Sequence, residues 1–279
     1  MLKYDLIPEQ LVYEGVVHPE QFFVPEPMLE DLIQRTHCSD YWAKLKSLNL
    51  SKIEERRTGF PLSNQLIERE ITIAQGTLDA SFFALEHGVA FNVAGGTHHA
   101  FRDRGEGFCL LNDVALAANE LLFQKIAQRI LVVDLDVHQG NGTARIFEQE
   151  PRVFTLSFHG AENFPLHKEK SSLDVPLPTG TKDEKYLETL HRVLNDVLSS
   201  FEPDFVFYVS GVDVLETDRL GKLCLTLGGC KERDEMVIRA CHSRKLPLVC
   251  VMGGGYSHRI ADIVNAHCQT FQVAEYWYG

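Results

Sequence analysis

The sequence predicts an α/β fold with a central, mostly parallel β-sheet flanked by helices on both faces. Short apolar runs that end in turn residues recur along the 279-residue chain, and amphipathic segments with helical spacing separate them. Strands that alternate with helices are typical of this layered architecture. Because no linker-like stretch, internal repeat or charge block divides the chain, we expect residues 1–279 to form a single domain.

Five apolar runs are too short for helices and are bounded by turn residues, so we predict that they are buried strands. They lie at Val89–Val93, Ile130–Leu135, Val153–Leu156, Phe205–Val209 and Leu248–Met252.

Helical spacing of apolar residues predicts long helices between these strands. They cover about Ser63–His87, Asn112–Gln128, Cys230–Ser243 and a segment after Thr181. At the start of that last segment, Thr181 and Glu184 fit a capping box. Prolines interrupt the amino-terminal quarter, where we expect loops and short helices over one rim of the sheet.

Charge and composition narrow the possible partners. The formal net charge is −12, and no basic cluster exceeds a single Arg-Arg pair, which argues against binding to nucleic acid or anionic membranes. The amino terminus lacks a signal-peptide pattern, and no apolar run approaches membrane-spanning length. Seven cysteines without a CxxC spacing do not indicate a disulfide framework. We therefore expect a cytoplasmic protein with reduced thiols.

Four of the predicted strands end in loops with unusual polar residues. One loop reads GGTHHAF and carries His98 and His99, and two others deliver Asp213 and, after three glycines, Tyr256. Each feature alone has a structural explanation, such as a hydrogen-bonded histidine pair, a helix cap or a flexible turn. Ligands of open parallel sheets bind beyond the carboxyl ends of the strands, so the four loops together predict a site there.

The fourth loop follows the strand in LVVDLDVHQGNG. Asp134, Asp136 and His138 alternate and therefore point to one face, where they would repel and lose hydration unless a cation joined them. Asp136, His138 and Asp213 suit Zn²⁺ and leave one coordination position open. Asp134 lies too far back to reach the same ion and suits a hydrogen bond to an imidazole from the histidine pair.

The segments GGTHHAFRDRGEGFCLLND, DLDVHQGNG, SGVDVLETDRLG and GGGY resemble the signature segments of zinc-dependent histone deacetylases and their prokaryotic relatives. DVHQGNG and DVLETDRLG are most similar to the class IV branch. The resemblance runs from about Thr36 to near the carboxyl terminus, and the motifs occur in the family's order. It implies the arginase/deacetylase fold.

The resemblance also implies a role for each matching residue. His99 matches the general base and acid, with His98 as its electrostatic partner, and Tyr256 matches the residue that hydrogen-bonds the scissile carbonyl. Asp134 and Asn141 match the partners of the two imidazoles. The zinc ligands that the resemblance implies are Asp136, His138 and Asp213.

The acyl-lysine tunnel of the family has matching residues as well. Phe108 and Phe164 match its aromatic walls, Gly107 matches a backbone carbonyl that lines it, and Gly254 belongs to the glycine loop beside the substrate. Relatives also bind a structural K⁺. Its matching ligands are backbone oxygens of the segment with Asp134, Asp136 and His138, together with Ser157.

Two departures from the family pattern have consequences. Class I members carry an aspartate at the position of Asn141, and an amide cannot favour an imidazolium as a carboxylate does, so we expect a lower pKa for His99. Many deacetylases have a rim aspartate that orients the peptide, whereas the sequence THCSDYW places Ser39 there, with Asp40 adjacent. The sequence therefore does not predict this peptide contact.

The predicted function is zinc-dependent hydrolysis of acetyl or longer acyl groups from the ε-amine of lysine in proteins. Acetylated polyamines are an alternative substrate class. A binuclear manganese ureohydrolase is disfavoured because Gly140 and Gly211 stand where its extra carboxylates would be, and a non-catalytic acyl-lysine module would lack part of the site. His159 could border the site. We expect solvated or capping roles for His18, His87, His191, His242 and His267.

Overall fold

The computed structural model describes residues 2–279 and contains one six-stranded sheet. The strands are β1 (Val89–Asn92), β2 (Ile130–Asp134), β3 (Val153–Gly160), β4 (Leu173–Leu177), β5 (Phe205–Val209) and β6 (Leu248–Val251). Their order in the sheet is β1-β6-β5-β2-β3-β4, and every neighbouring pair is parallel. The predicted fold class is confirmed.

Ten α-helices are present among the described residues. They are α1 (Lys3–Tyr13), α2 (Glu30–Thr36), α3 (Ser39–Lys46), α4 (Lys52–Thr58), α5 (Asn64–His87), α6 (Asp113–Phe123), α7 (Asn141–Phe147), α8 (Asp183–Phe201), α9 (Leu227–Arg244) and α10 (Ile260–Tyr278). The short helices α1 to α4 make up the proline-interrupted amino-terminal quarter, as predicted.

The sheet separates two hydrophobic clusters, because alternate side chains of a strand point to opposite faces. In β2, Leu131 and Val133 contact the cluster that contains residues of α8, α9 and α10. Ile130 and Val132 contact the other cluster, which contains residues of α5 and α6. Both faces of the central strands are therefore buried, which explains why those strands consist of continuous apolar runs rather than alternating ones.

Two predictions about local structure were wrong. Strand β4 was missed because Leu173–Leu177 is half-buried, lies at the sheet edge and contains Pro176, so it is not an apolar run. The capping box of α8 does not form. The Thr181 hydroxyl donates to the Pro178 carbonyl instead, and the N-cap residue Lys182 makes no side-chain cap.

Candidate active site

The predicted site residues meet at one edge of the sheet. The strands β1, β6, β5 and β2 are consecutive neighbours and parallel, so the loops that follow them leave from the same edge. The side chains on these loops are His98 and His99 after β1, Asp136 and His138 after β2, Asp213 after β5, and Tyr256 after β6.

Asp136, His138 and Asp213 form a compact cluster of metal-ligand type. One donor atom from each lies within 4.8 Å of the others. His138 Nδ1 is 3.0 Å from Oδ1 of Asp136 and 3.2 Å from Oδ2 of Asp213. Both carboxylates are buried, so water cannot compensate their charges.

The electrostatics of this cluster favour a bound cation. Burial and then the charge of Asp136 raise the pKa of Asp213 to about 6. Burial alone would lower the pKa of His138, but its close contacts with the carboxylates of Asp136 and Asp213 outweigh burial and raise the pKa to about 10. Oδ2 of Asp213 is buried and accepts no hydrogen bond. An unsatisfied carboxylate oxygen that faces an imidazole nitrogen and a second carboxylate fits a divalent ion.

His98 is buried against a carboxylate. Its Nδ1 is 2.7 Å from Oδ2 of Asp134, and its Nε2 is 3.9 Å from Oδ1 of Asp136. Burial alone would lower the pKa of His98, but the charges of these two aspartates outweigh it and raise the pKa to about 9. The predicted contact between Asp134 and an imidazole is therefore present.

His99 is equally buried but faces an amide. Its Nδ1 is 2.7 Å from Oδ1 of Asn141. Burial, followed by the neighbouring His98 and His138, holds the pKa of His99 well below its usual range. Because an amide oxygen only accepts hydrogen bonds, Nδ1 of His99 carries the proton and Nε2 carries a lone pair.

The loop with the histidine pair is fixed by a residue whose role the sequence analysis missed. Asp113, at the start of α6, accepts hydrogen bonds from Gly96 N (3.1 Å), Thr97 N (2.8 Å) and the Thr97 hydroxyl (2.5 Å). Asp113 is the last residue of the motif GGTHHAFRDRGEGFCLLND, so the motif itself could have indicated this contact. Three charge-assisted bonds order the backbone just ahead of His98.

Tyr256 is positioned through its backbone by the segment DVLETDRLG. Its N–H donates to Oδ2 of Asp218 at 2.6 Å, and its carbonyl accepts from Nε of Arg219 at 2.8 Å. Burial, and then the charges of Asp213 and Asp136, raise the pKa of Tyr256. The phenol therefore stays protonated and can donate a hydrogen bond.

A cavity of about 300 Å³ connects these groups. Gly107 and Phe108 line it, as does Gly254, and Phe164 packs edge-on against the His99 ring with centroids 5.0 Å apart. All four predicted tunnel residues therefore lie at or beside the cavity. Five further lining residues were not predicted, because neither a motif nor a spacing marks them. They are Tyr4, Phe60, Arg69, Glu70 and Ile73.

Comparison with known proteins identifies the family. Residues 2–271 match the histone deacetylase domain family. The chain belongs to the histone deacetylase family. The match begins well ahead of Thr36, so the amino-terminal helices are part of the deacetylase domain and the motif-based start was too late. The family's reaction is hydrolytic deacetylation.

Individual relatives agree with this family. An uncharacterized protein of Picosynechococcus sp. is 44% identical over 274 residues, which are 98% of this chain and 91% of that protein. Histone deacetylase 2 of Arabidopsis thaliana is 30% identical over 272 residues, 94% of this chain and 70% of that protein. The crystal structure of an HDAC homolog from Aquifex aeolicus matches with a TM-score of 0.83 at 24% identity, covering 96% of this chain and 77% of that one, which supports the fold.

The two residues at the position of the family's rim aspartate do not line the cavity. Ser39 and Asp40 are exposed at the start of α3, and neither lines the cavity.

Among residues 2–279, no helix has the length and apolar character needed to span a membrane. All seven cysteines are free thiols.

One histidine was placed wrongly from sequence. His267 is fully buried in α10, and neither ring nitrogen has a hydrogen-bond partner, so it is not a solvated or capping group. His159 is buried too, and burial lowers its pKa to about 4. It contacts the Ser157 hydroxyl, with 3.1 Å between Nδ1 and Oγ, and does not line the cavity.

Proposed function

We propose that the protein is a zinc-dependent lysine deacylase that removes acetyl or longer acyl groups from the ε-amine of lysine in proteins. The observation that carries the proposal is the convergence of one metal-ligand cluster, one neutral imidazole and one protonated phenol on a single cavity. Asp136, His138 and Asp213 would hold Zn²⁺. The ion would act as a Lewis acid that polarises the substrate carbonyl and acidifies the attacking water.

The chain's own residues perform the proton transfers. Nε2 of His99 accepts a proton from the attacking water, because Nδ1 is already bonded to Asn141. Its low pKa keeps this imidazole neutral and ready as a base at neutral pH. After the water oxygen bonds to the carbonyl carbon and the C–N bond breaks, the same nitrogen delivers the proton to the departing lysine amine.

Tyr256 and His98 stabilise the charges that develop. The Tyr256 phenol donates a hydrogen bond to the carbonyl oxygen as it becomes negative. His98, protonated and bonded to Asp134, adds positive charge next to the reacting groups. Phe108 and Phe164 pack around the aliphatic part of the lysine side chain and exclude water from it.

The fit for a second metal ion is poor, which disfavours a binuclear ureohydrolase. A Cβ at Gly211 would lie 2.3 Å from Oδ2 of Asp136, and one at Gly140 would lie 2.2 Å from Oδ2 of Asp134. A side chain at either position would therefore force the Asp136 or Asp134 carboxylate out of its place. A mononuclear site is the arrangement that these glycines favour.

We also propose a structural K⁺ ion at the backbone oxygens of Asp134, Asp136 and His138, with the Ser157 hydroxyl. Ser157 is buried and pairs with Asp134 in the parallel ladder of β2 and β3, which supports the proposal. The melting temperature should be higher in KCl than in N-methylglucamine chloride. The Ser157→Ala variant should show a smaller difference, and equal melting temperatures of the wild type in both salts would contradict the ion.

A substrate panel tests the reaction and its metal dependence together. Peptides with acetyl-, butyryl-, octanoyl- and myristoyl-lysine, and acetylated polyamines, are incubated with the enzyme before and after chelation and after zinc is restored. We expect hydrolysis of lysine peptides that chelation abolishes and zinc restores. Hydrolysis of the polyamines alone would show that the substrate is a polyamine and not a protein. Activity that persists in chelator would contradict the zinc mechanism.

The variant Tyr256→Phe tests the phenol in this mechanism. Removing one donor to the oxyanion should lower kcat by about 10²–10³-fold while zinc content stays at the wild-type level. Tyr276→Phe is the matched control, because Tyr276 is exposed on α10. Wild-type turnover by Tyr256→Phe would exclude the phenol from the mechanism.

A further inference from the structure

A buried ion pair lies next to the metal-ligand loops but outside the cavity. Arg233 and Asp234 of α9 are fully buried, and neither lines the cavity. Nε and Nη2 of Arg233 are 2.8 Å and 2.7 Å from Oδ1 of Asp234. A guanidinium stays charged in the interior, so its burial requires that its donors are bonded.

The other guanidinium nitrogen reaches two loops at once. Nη1 of Arg233 donates to the Gly211 carbonyl at 2.6 Å and to the Leu135 carbonyl at 3.3 Å. Leu135 directly precedes Asp136, and Gly211 lies two residues before Asp213. One nitrogen therefore joins the two chain segments from which both carboxylate ligands project.

Beyond the last ladder bond between β2 and β5, the backbone of each segment bonds to a different neighbour. The Val137 carbonyl accepts from Gly160 N, and Val212 N donates to the Gly254 carbonyl. Leu135 N donates to the Val209 carbonyl at the end of the ladder between β2 and β5. Further along, Val137 N donates at 3.0 Å to Oδ1 of Asp213, a bond that uses a ligand carboxylate. Metal ligands must be held to within about half an ångström of their positions. The contacts of Arg233 with backbone carbonyls order these segments and leave the carboxylates free for the ion.

We infer that Arg233 is a positioning residue, one that orders the segments of Asp136 and Asp213 and thereby sets the affinity of the site for zinc. The inference rests on the proposed zinc site. Asp234 fixes the guanidinium, and it also accepts hydrogen bonds from the Tyr208 hydroxyl at 2.5 Å. The Thr270 hydroxyl donates to its other oxygen at 2.7 Å.

Zinc affinity of the full-length, metal-free protein tests the inference without relying on activity. The variants are Arg233→Met, which keeps the volume but no donors, and Arg233→Lys, which keeps a charge and can reach fewer carbonyls. In competition with a chromophoric chelator, the zinc Kd should weaken by about 10–100-fold in Arg233→Met. It should weaken less in Arg233→Lys. At saturating zinc, kcat should fall while the KM for an acyl-lysine peptide stays the same.

Variants of the residues that bond to Asp234 distinguish an effect on the zinc site from an effect on overall stability. Thr270→Val and Tyr208→Phe each remove one bond to Asp234 but leave the contacts of Arg233 with Leu135 and Gly211. Both should lower the melting temperature and leave the zinc Kd within threefold of wild type. Arg233→Lys decides the question should Arg233→Met fail to fold.

Two results would overturn the inference. One is a zinc Kd within threefold of wild type in every folded Arg233 variant. The other is an equal loss of zinc affinity in Thr270→Val, which would make the effect one of general stability. A wild-type protein that binds no zinc would instead contradict the proposed function, so the two failures are distinguishable.

Discussion

The His98 side and the His99 side of the site are alike in burial but differ in the groups that surround each imidazole. The two imidazoles are adjacent in sequence, are buried to the same degree, and have ring centroids 4.1 Å apart. His98 contacts the carboxylate of Asp134, and its pKa rises to about 9. His99 contacts the amide of Asn141, and its pKa falls well below the usual range. Carboxylates beside His98, and an amide with two other imidazoles beside His99, therefore give pKa shifts of opposite sign.

This difference fits the separate tasks that we propose for the two histidines. A buried imidazole that has no carboxylate in contact resists protonation, because burial penalises the charged form, and it can act as a base near neutral pH. A buried imidazole beside carboxylates keeps its proton and supplies charge. Environments that push two neighbouring pKa values apart are the usual sign of separate acid and base roles.

The largest predicted effect comes from removing the base. His99→Ala should lower kcat/KM by about 10²–10⁴-fold, since no other lone pair takes the proton of the attacking water. His98→Ala is the matched control and should lose less activity. Both variants should bind zinc as the wild type does, measured by metal analysis after dialysis. Loss of zinc from His99→Ala would make His99 a ligand, and an equal loss of activity in His98→Ala would remove the distinction between the two.

A smaller loss of activity should follow when the carboxylate beside His98 is replaced by an amide, the group that lies beside His99. Asp134→Asn replaces the carboxylate by an amide of similar shape, so His98 should lose its positive charge near neutral pH. We expect kcat to fall by about 10–100-fold. The imidazole resonances of His98, followed by NMR against pH, should move to a lower pKa. An unchanged titration of His98 would show that Asp136, rather than Asp134, sets its charge.

The reciprocal change should shift the pH profile more than the maximum rate. Asn141→Asp places a carboxylate on Nδ1 of His99 and should raise its pKa by about 1–3 units. Because His99 acts in its neutral form, the acidic limb of the kcat/KM profile should move to higher pH. Activity should be lost first at low pH and retained at alkaline pH. A profile that coincides with the wild type would mean that another group controls the acidic limb.

Much of this site could be predicted from the sequence, because its residues follow strand ends. Asp136 and His138 directly follow the apolar run of β2, and the periodicity of two places Asp134 on the same side. The contact of Asn141 with His99 was also expected, and the structure contains it. Short motifs at the ends of parallel strands predict proximity, because the sheet brings those ends together.

What could not be predicted lies on helices distant in sequence. Arg233, His267 and Tyr4 belong to helices whose polar residues read as solvent-facing from periodicity alone. Arg233 and His267 are buried, and Tyr4 is partly buried, because other elements cover them, as α1 packs against α10. Strand β4 was missed for a related reason, since its stability comes from pairing with β3 and not from its own apolar pattern.

The smallest predicted effect concerns His37, which does not line the cavity. It tests whether burial without a carboxylate in contact also lowers the pKa of this histidine. His37 is fully buried, its Nδ1 donates to the Phe101 carbonyl at 2.9 Å, and its Nε2 accepts from Asn112 N at 3.0 Å. Burial, without a carboxylate in contact, lowers its pKa to about 4. Protonation would turn Nε2 into a donor that faces the N–H group of Asn112, so the folded state disfavours the imidazolium.

The sign of the effect on stability follows from this shift. The pKa in the folded state lies below the unfolded value of 6.5, so the contribution of His37 is fully present above pH 6.5 and is lost as the pH falls toward 4. The shift corresponds to roughly 3 kcal/mol. In urea unfolding, His37→Gln should be less stable than wild type at pH 7, by about 1–2 kcal/mol. The difference should shrink toward pH 4.5, because glutamine does not titrate. The control is His191→Gln, at an exposed position on α8, whose free energy of unfolding should follow the pH dependence of the wild type. A stability difference between His37→Gln and the wild type that stays constant with pH would mean that partners other than carboxylates also decide the charge of a buried imidazole.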